Sequence, residues 1–391
     1  MLDTLYLAWR YLLYNRLKTI ILVLSVTLII FLPIGLKVLV GQSARSLTAR
    51  AEQTPLIVGA KGSSLELVLN ALYFESDTPS IITYSQSQSI TDSGLALAIP
   101  LHTRFKARKF SIVGTTVDYF DFRQCEVAQG RMMAILGECV LGSQVASQLT
   151  LAVGDSLVSS PESAFNLAGV YPLKMKVVGV LASSGTPDDR AVFVDLKTAW
   201  VIEGLAHGHQ DMAKVADSAV LERKGGVIVA NASLQQYNEI TEANIDSFHF
   251  HGENADFPIT AVIALPHDQK SSALLQGKYL GKQVAVQIAL PDLVMDGLLK
   301  TILTVQNYII AGVFVIALST LMTAALVFML SLRLRKREIQ TMHRIGGRKQ
   351  LVIGLLGSEI LVVLLIGGLL ALAMTLLISQ WGEHLIRLLV L

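Results

Sequence analysis

Histidines are concentrated in one part of this 391-residue chain, and imidazole is the side chain that most often binds transition metals. The stretches AHGHQDM and SFHFHGENADF contain two i, i+2 pairs, which are His207 with His209 and His249 with His251. Residues two apart in an extended segment share a face, so His249 and His251 should point together, away from the neighbouring phenylalanines. The pattern predicts a zinc or copper site, with Asp211, Glu253 and Asp256 as further candidate ligands. No tight H-E-x-x-H spacing is present, so the alternative is a set of polar loop histidines or a half-buried strand.

Other side chains with reactive potential give weaker patterns. Cys125 and Cys139 are a candidate disulfide if this region is in an oxidising compartment, and the alternative is two free thiols. Asp188 and Asp189 are adjacent, which predicts a turn with Arg190 available for a local salt bridge, not a catalytic pair. The chain has no G-x-S-x-G nucleophile elbow. We therefore predict no catalytic residues.

The densest positive charge is in residues 333–350, RLRKREIQTMHRIGGRKQ, which contain seven Lys or Arg residues and one acid. Ile339, Met342 and Ile345 recur every three residues and would give a short helix an apolar stripe. Such a helix can dock in a groove of a cytosolic partner. The alternative is a charged loop with no partner, but charge alone does not explain Glu338 and the stripe.

Nucleotide hydrolysis and nucleic acid binding are not expected of this chain. No G-x-x-x-x-G-K-[ST] phosphate loop occurs, because VGAKGSS and LQGKYLGKQ both lack the Lys-Ser/Thr ending. The net charge of +2 is too small to indicate a nucleic acid partner. We therefore expect no cofactor in this chain, apart from zinc if the histidines bind it.

The elements that must position these residues are dominated by apolar runs. Hydrophobic residues make up 52% of the chain and charged residues 16%, compared with about 25% charged in ordinary soluble domains. Three runs are long enough to cross a bilayer, which takes about 20 residues in a helix. They predict transmembrane helices at 20–40, within 301–332 and at 351–378. The first is predicted to be a retained anchor and not a signal peptide, because its apolar core exceeds the usual 7–15 residues.

The positive-inside rule sets the orientation. Arg10, Arg16 and Lys18 precede the first helix, and the second cationic cluster follows the second helix, so both clusters fall on the cytoplasmic side. The resulting topology has residues 1–19 and 333–350 in the cytoplasm and residues 41–300 and 379–391 outside. This is a multi-pass protein in contact with membrane lipids.

The third apolar run contains a single carboxylate, Glu359. A charge in hydrocarbon costs about 2.5–3.5 kcal/mol, so Glu359 should face protein. We favour a helix–helix contact over a substrate or proton site. The small residues of this run suit close helix packing, including packing in a homodimer, and they are Gly354, Gly357, Gly367, Gly368 and Ala371.

The insert at 41–300 contains short β-rich runs, for example LKMKVVGVLAS, RAVFVDL and ITAVIALP. Turn-forming Gly, Asp and Ser residues separate these runs. Helical patterns lie between them, at SSLELVLNALYF (63–74) and at SAVLERKGG (218–226). The fold class is therefore a membrane protein with three transmembrane helices and a large α+β domain between helices 1 and 2. Two subdomains are expected in that domain.

Several of these stretches, in this order, resemble the MacB/FtsX-like permeases of ABC transporters. The resemblance is carried by IVGTTVDYF (112–120), GR (130–131), ECVLGSQVASQL (138–149), VGD (153–155) and MKVVGVLASSGTPDDRAVFVDL (175–196). The cytoplasmic loop is similar to that family's loop, with Arg337, Glu338 and Ile339 followed by Gly346. The family usually has four transmembrane helices where this chain shows three, and it often has Arg at the position of His343.

The resemblance implies a non-catalytic permease subunit in a bacterial inner membrane. A separate cytosolic ATPase would bind ATP and Mg and contact the coupling residues, which are Arg337, Glu338, Ile339, Met342, Ile345 and Gly346. The implied function is mechanotransmission by a homodimer: export, lipoprotein handling or work on a periplasmic partner.

Two alternatives remain at this stage. Residues 55–74 also resemble a subgroup of these permeases found with zinc-responsive genes, so one alternative is the permease of a zinc-linked metal acquisition system that uses the periplasmic histidines. The other is a membrane-anchored external enzyme with no ATPase. Activity in the external domain and a dispensable loop would distinguish that enzyme.

Overall fold

The computed structural model describes residues 2–75, 80–160, 172–208, 220–224, 227–230, 238–280, 286–334, 340–341, 344 and 349–390. It contains two compact units. The membrane unit consists of Met1–Ala49 and Asp296–Leu391, and the core unit is Arg50–Met295.

The elements are numbered in chain order. The helices are α1 (Leu2–Tyr14), α2 (Arg16–Glu52), α3 (Ser64–Tyr73), α4 (Ser85–Asp92), α5 (Asp118–Arg123), α6 (Ser143–Leu149), α7 (Leu196–Ile202), α8 (Gln269–Tyr279), α9 (Pro291–Leu334) and α10 (Lys349–Val390). The strands are β1 (Leu56–Ala60), β2 (Ile82–Thr83), β3 (Ala96–Leu101), β4 (Lys106–Ala107), β5 (Phe110–Thr115), β6 (Val127–Gly130), β7 (Glu138–Leu141), β8 (Ser156–Val158), β9 (Lys174–Leu181), β10 (Ala191–Asp195), β11 (Ala206–Gly208), β12 (Val220–Lys224), β13 (Val227–Ala230), β14 (Phe248–Phe250), β15 (Pro258–Ile259), β16 (Ala261–Pro266) and β17 (Val286–Ala289).

Among the residues that the structure describes, three helices are long and apolar enough to cross a membrane, which is the number that hydropathy predicts. The candidate spans are Arg16–Glu52, Pro291–Val327 and Ile353–Gly382. The predicted cytoplasmic terminus also contains α1, which packs against α10 and exposes Tyr6 and Trp9. Aromatic side chains of this kind favour the membrane–water interface.

Within the membrane unit, α10 packs closely against α2. A Cβ on Gly367 would stand 2.7 Å from Val26 Cγ1, and Thr27 Oγ1 lies 3.3 Å from the Gly367 carbonyl oxygen. Glu359 is only 2% exposed, so it faces protein as predicted. Of the small residues singled out for packing, Ala371 is also buried, whereas a Cβ on Gly354 would meet nothing within 4 Å. Only part of that set therefore packs within the chain.

The core unit is built on two larger sheets. One is antiparallel, with strand order β17-β1-β16-β3. The other has seven strands in the order β4-β5-β10-β7-β9-β6, with β8 also paired to β9. This second sheet is mixed, because β10 is parallel to β5 and antiparallel to β7. Each of the two sheets packs on its own hydrophobic cluster, and both belong to the one compact core unit.

The sequence explains these elements locally. The first four residues of β10 are buried, and its sequence AVFV is the continuous apolar run expected of a strand covered on both faces. Helix α3 is N-capped by Ser63, whose hydroxyl oxygen accepts from the Glu66 amide at 3.2 Å.

The helix predicted for residues 218–226 is wrong where the structure describes that stretch. Val220–Lys224 is strand β12, and it pairs antiparallel with β13. Two glycines separate two short β-rich runs there, which is a hairpin signal. The tertiary pairing outweighs the helical propensity of Leu, Glu, Arg and Lys.

Candidate functional site

The predicted histidine site is carried by a two-stranded antiparallel ribbon of β11 and β14 in the core unit. His207 lies directly opposite His249 in the register, so their side chains share a face. His251 is two residues further along, and its amide donates to the Leu205 carbonyl oxygen at 2.9 Å, which continues the ladder. The ribbon therefore places three imidazoles on one face.

The opposite face of the ribbon holds it against the protein. Phe248 and Phe250 are half-buried and pack against the core of the seven-stranded sheet. Gly208 is opposite Phe248, and a Cβ at this position would stand within 3.0 Å of the Phe248 Cγ atom. A ribbon anchored by two aromatic rings presents its histidines on a supported surface.

The three imidazoles lie close together. Their rings have centroid separations of 5.0 Å for His207–His249, 4.7 Å for His207–His251 and 4.8 Å for His249–His251. One ligand nitrogen from each ring can be chosen so that all three lie within 4.8 Å of one another. His249 and His251 are exposed and His207 is half-buried, so an ion can reach them from solvent.

The sequence predicts four further candidate ligands for this site. His209 and Asp211 lie outside the described residues. Glu253 and Asp256 are described, but they do not join the cluster. Among the residues that the structure describes, the group contains nitrogen ligands alone.

A second polar cluster, which sequence reasoning missed, is buried at the end of α2. The guanidinium of Arg50 binds the Asp188 carboxylate through two parallel hydrogen bonds, each 2.8 Å long. The hydroxyl of Tyr119 accepts from Arg50 at 2.6 Å and donates to Asp188 Oδ1 at 2.6 Å. All three residues are at most 6% exposed. We refer to Arg50, Tyr119 and Asp188 as the buried triad.

The electrostatics of the buried triad favour the charged carboxylate. Burial by itself would raise the pKa of Asp188. The charge of Arg50 and the hydrogen bonds from Arg50 and Tyr119 outweigh that effect and hold the pKa below its usual value. The turn predicted at Asp188 and Asp189 is present as a 3₁₀ turn, Pro187–Arg190, but the partner of Asp188 is Arg50 and not Arg190.

Two of the family-like motifs have clear structural reasons. In ECVLGSQVASQL, a Cβ on Gly142 would overlap the Asp188 carbonyl oxygen, so glycine lets α6 start against the turn that holds the buried triad. In the GR motif, Gly130 has φ +77, and Arg131 forms an ion pair with Glu138 at the start of β7. These residues maintain the seven-stranded sheet and the turn beside it.

The structure argues against the predicted disulfide, because Cys125 and Cys139 are both free. Cys139 is opposite Val194 in the register, and both side chains belong to the core on one face of the sheet. Burial raises the pKa of the Cys125 thiol to about 12.

The predicted coupling residues cannot be placed. Helix α9 ends at Leu334 and α10 begins at Lys349. The coupling set lies outside the described residues, and its members are Arg337, Glu338, Ile339, Met342, Ile345 and Gly346.

Comparison with known proteins identifies the chain. A family model described as the MacB-like periplasmic core domain matches residues 19–229. No curated protein sequence matches the chain.

Two similar solved structures are an extracellular domain and a periplasmic region. The extracellular domain of the noncanonic ABC-type transporter YknZ from Gram-positive bacteria is 11% identical, with 60% of this chain and 98% of that chain covered and a TM-score of 0.33. The periplasmic region of MacB from Actinobacillus actinomycetemcomitans is 10% identical, with coverage of 66% and 97% and a TM-score of 0.33. Because the family model alone spans more than half of the chain, this protein belongs to the MacB/FtsX-like family of ABC transporter permeases.

Proposed function

We propose that this chain is the transmembrane subunit that carries ATP-driven motion from a separate cytosolic ATPase to its own core unit outside the inner membrane. Two copies would work together as a homodimer. The moving core units would act on a periplasmic protein, a lipoprotein or a substrate collected there. The membership in the permease family supports the membrane role, and the helix described next supports the transmission of force.

The observation that carries the proposal is the continuity of α2. This helix has 37 residues, and at 1.5 Å per residue it is about 55 Å long, compared with a hydrocarbon core of about 30 Å. Residues 16–49 belong to the membrane unit, and the last turn belongs to the core unit. A single helix can therefore carry a displacement along its axis out of the bilayer.

The buried triad is suited to receive that displacement. Arg50 is in the last turn of α2, and its two parallel hydrogen bonds fix both the position and the direction of the guanidinium on Asp188. The next segment is held as well, because Arg123 donates to Thr54 Oγ1 at 2.9 Å. A movement of α2 would reach the turn at Pro187–Arg190 through these contacts.

Helix α9 is the second continuous connection. It has 44 residues, and Met295 in its first turns is completely buried within the core unit. Tilting of α2 and α9 would thus act on both chain connections of the core unit. One cationic cluster precedes the first membrane span and the other follows the second span. Both support a cytoplasmic location for the loop that would bind the ATPase.

Co-purification with an ATPase tests the coupling. The double variant Ile339→Asp with Met342→Asp places two charges on the predicted apolar stripe and should abolish co-purification with the cognate ATPase. The matched control is Gln340→Asp with Thr341→Asp, which adds the same charge to positions off the stripe. Equal recovery of the ATPase by both variants would overturn the docking proposal.

Labelling tests the topology. Single cysteines introduced in residues 333–350 should react with a membrane-impermeant maleimide only after the inner membrane is opened. Labelling from the periplasm in intact spheroplasts would contradict both the orientation and the mechanism. The family model lends no support to the zinc-linked alternative.

A further inference from the structure

We infer that His207, His249 and His251 form a binding site for a single Zn²⁺ ion with an open fourth coordination position. The inference concerns the ribbon of β11 and β14 and is independent of the proposed coupling to an ATPase. It rests on the geometry of the three imidazoles, on the orientation of one of them, and on the kind of ligand set that they provide.

The distances fit an ion after a small adjustment. The three ligand nitrogens lie within 4.8 Å of one another, so some point lies within about 2.8 Å of all three, compared with about 2.0–2.1 Å for a Zn–N bond. Rotation about side-chain torsions is enough to close a gap of this size, and two of the three rings are exposed and have room to move. The strand register already holds the backbone positions.

His249 makes one hydrogen bond that bears on metal binding. Its Nδ1 lies 3.1 Å from the carbonyl oxygen of Ser247, and a carbonyl oxygen can only accept. Nδ1 therefore donates a hydrogen bond, and in the neutral ring of this tautomer Nε2 is the nitrogen that could bind a metal ion. Metal-binding histidines usually donate their other ring nitrogen to such a partner, which fixes the tautomer and the ring plane.

The ligand set narrows the choice of metal and indicates the type of site. Three imidazoles without a thiolate or a carboxylate, in the part of the chain that the structure describes, favour Zn²⁺ over the harder Mg²⁺ and Ca²⁺. Structural zinc sites are closed by four protein ligands, whereas three protein ligands leave one position for water or for an incoming donor. An exposed site with that composition would bind zinc exchangeably.

Zinc titration of the full chain tests the inference. The protein should be purified in detergent with an affinity tag free of histidine, stripped with EDTA, and titrated with Zn²⁺ in competition with a chromogenic chelator. We expect one high-affinity site in the wild type and its loss in the triple variant His207→Ala, His249→Ala, His251→Ala. Each single variant should bind Zn²⁺ more than about tenfold more weakly, because even an outer partner of a ligand contributes 10–100-fold.

The matched control is His267→Ala, an exposed histidine outside the cluster, which should leave the high-affinity site unchanged. A wild type without a high-affinity site, or a triple variant with wild-type affinity, would overturn the inference. Histidine modification by diethylpyrocarbonate, mapped by mass spectrometry, keeps the test decisive if the variants unfold. Zinc should protect residues 207, 249 and 251 of the wild type but not His267, and absence of that protection would equally overturn the site.

Discussion

The core unit contains two polar clusters, and they use their polar atoms in opposite ways. In the buried triad, Arg50, Tyr119 and Asp188 bind one another at 2.6–2.8 Å and exclude water. In the ribbon cluster of three histidines, the rings converge at 4.7–5.0 Å, and two of them are exposed. The first cluster uses its charges to hold the fold together, whereas the second leaves ligand atoms within reach of an ion.

This difference gives a physical criterion for separating structural from binding roles. A buried charge must be paired, because removing one partner leaves the other uncompensated. Imidazoles at the surface have no such requirement, and their convergence requires a different explanation. The predictions below test this contrast, starting with the largest expected effect.

The variant Arg50→Met should destabilise the core unit by about 3–5 kcal/mol, because Asp188 would be left as an unpaired buried charge. Chemical unfolding of the full chain in detergent measures this loss. The double variant Arg50→Met with Asp188→Leu should recover part of it, since a buried ion pair replaced by apolar side chains is often close to neutral. A single variant as stable as the wild type would show that the buried triad is not structural.

Zinc should stabilise the folded protein by binding to the three histidines of the ribbon. If the three histidines bind Zn²⁺, a free concentration 100 times the Kd adds about 2.7 kcal/mol to the free energy of unfolding. Chemical unfolding with and without Zn²⁺, in wild type and in the triple His→Ala variant, measures the difference. Equal zinc stabilisation of both proteins would place the bound ion elsewhere.

Acid should also destabilise the core unit, because it protonates Asp188 in the buried triad. The folded-state pKa of Asp188 is below its unfolded value of 3.8, so the pairing contributes stability that is present above pH 3.8 and is lost as the pH falls through the folded pKa. The variant Asp188→Asn removes the titrating carboxyl group and with it this pH-dependent contribution to stability. The free energy of unfolding should therefore fall less steeply below pH 4 in the variant. The effect is smaller than that of Arg50→Met, because other carboxylates titrate in the same range, and identical slopes would contradict it.

Much of the local structure could be predicted from the sequence. Hydropathy alone located three helices with the length and composition of membrane spans, and alternating β-rich runs located β9, β10 and β16. The i, i+2 spacing placed His249 and His251 on one face, because strand geometry is set by the backbone. The sequence therefore predicted the features that depend on patterns between residues close together in the chain.

The sequence did not predict which residues far apart in the chain come into contact. His207 joins the cluster through a strand register, and one sequence does not specify which short strands will pair. Asp188 was assigned a local role beside Arg190, whereas its partner is 138 positions away. Arg50 gave no signal of its own, since a basic residue in the last turn of a helix is also what the helix dipole favours.

The smallest expected change in stability is that of the triple histidine variant without zinc. This measurement tests directly whether the histidines of the ribbon have a structural role. In metal-free buffer, the triple variant His207→Ala, His249→Ala, His251→Ala should lose at most about 1.5 kcal/mol relative to the wild type, because one surface substitution usually changes stability by no more than about 0.5 kcal/mol. The phenylalanines, and not the imidazoles, hold the ribbon against the core. Chemical unfolding after EDTA treatment gives this value, with Phe248→Ala as the contrasting variant, which should lose more than the triple variant. A loss of several kcal/mol in the histidine variant would mean that its rings support the fold as the buried triad does, and the contrast between the two clusters would no longer hold.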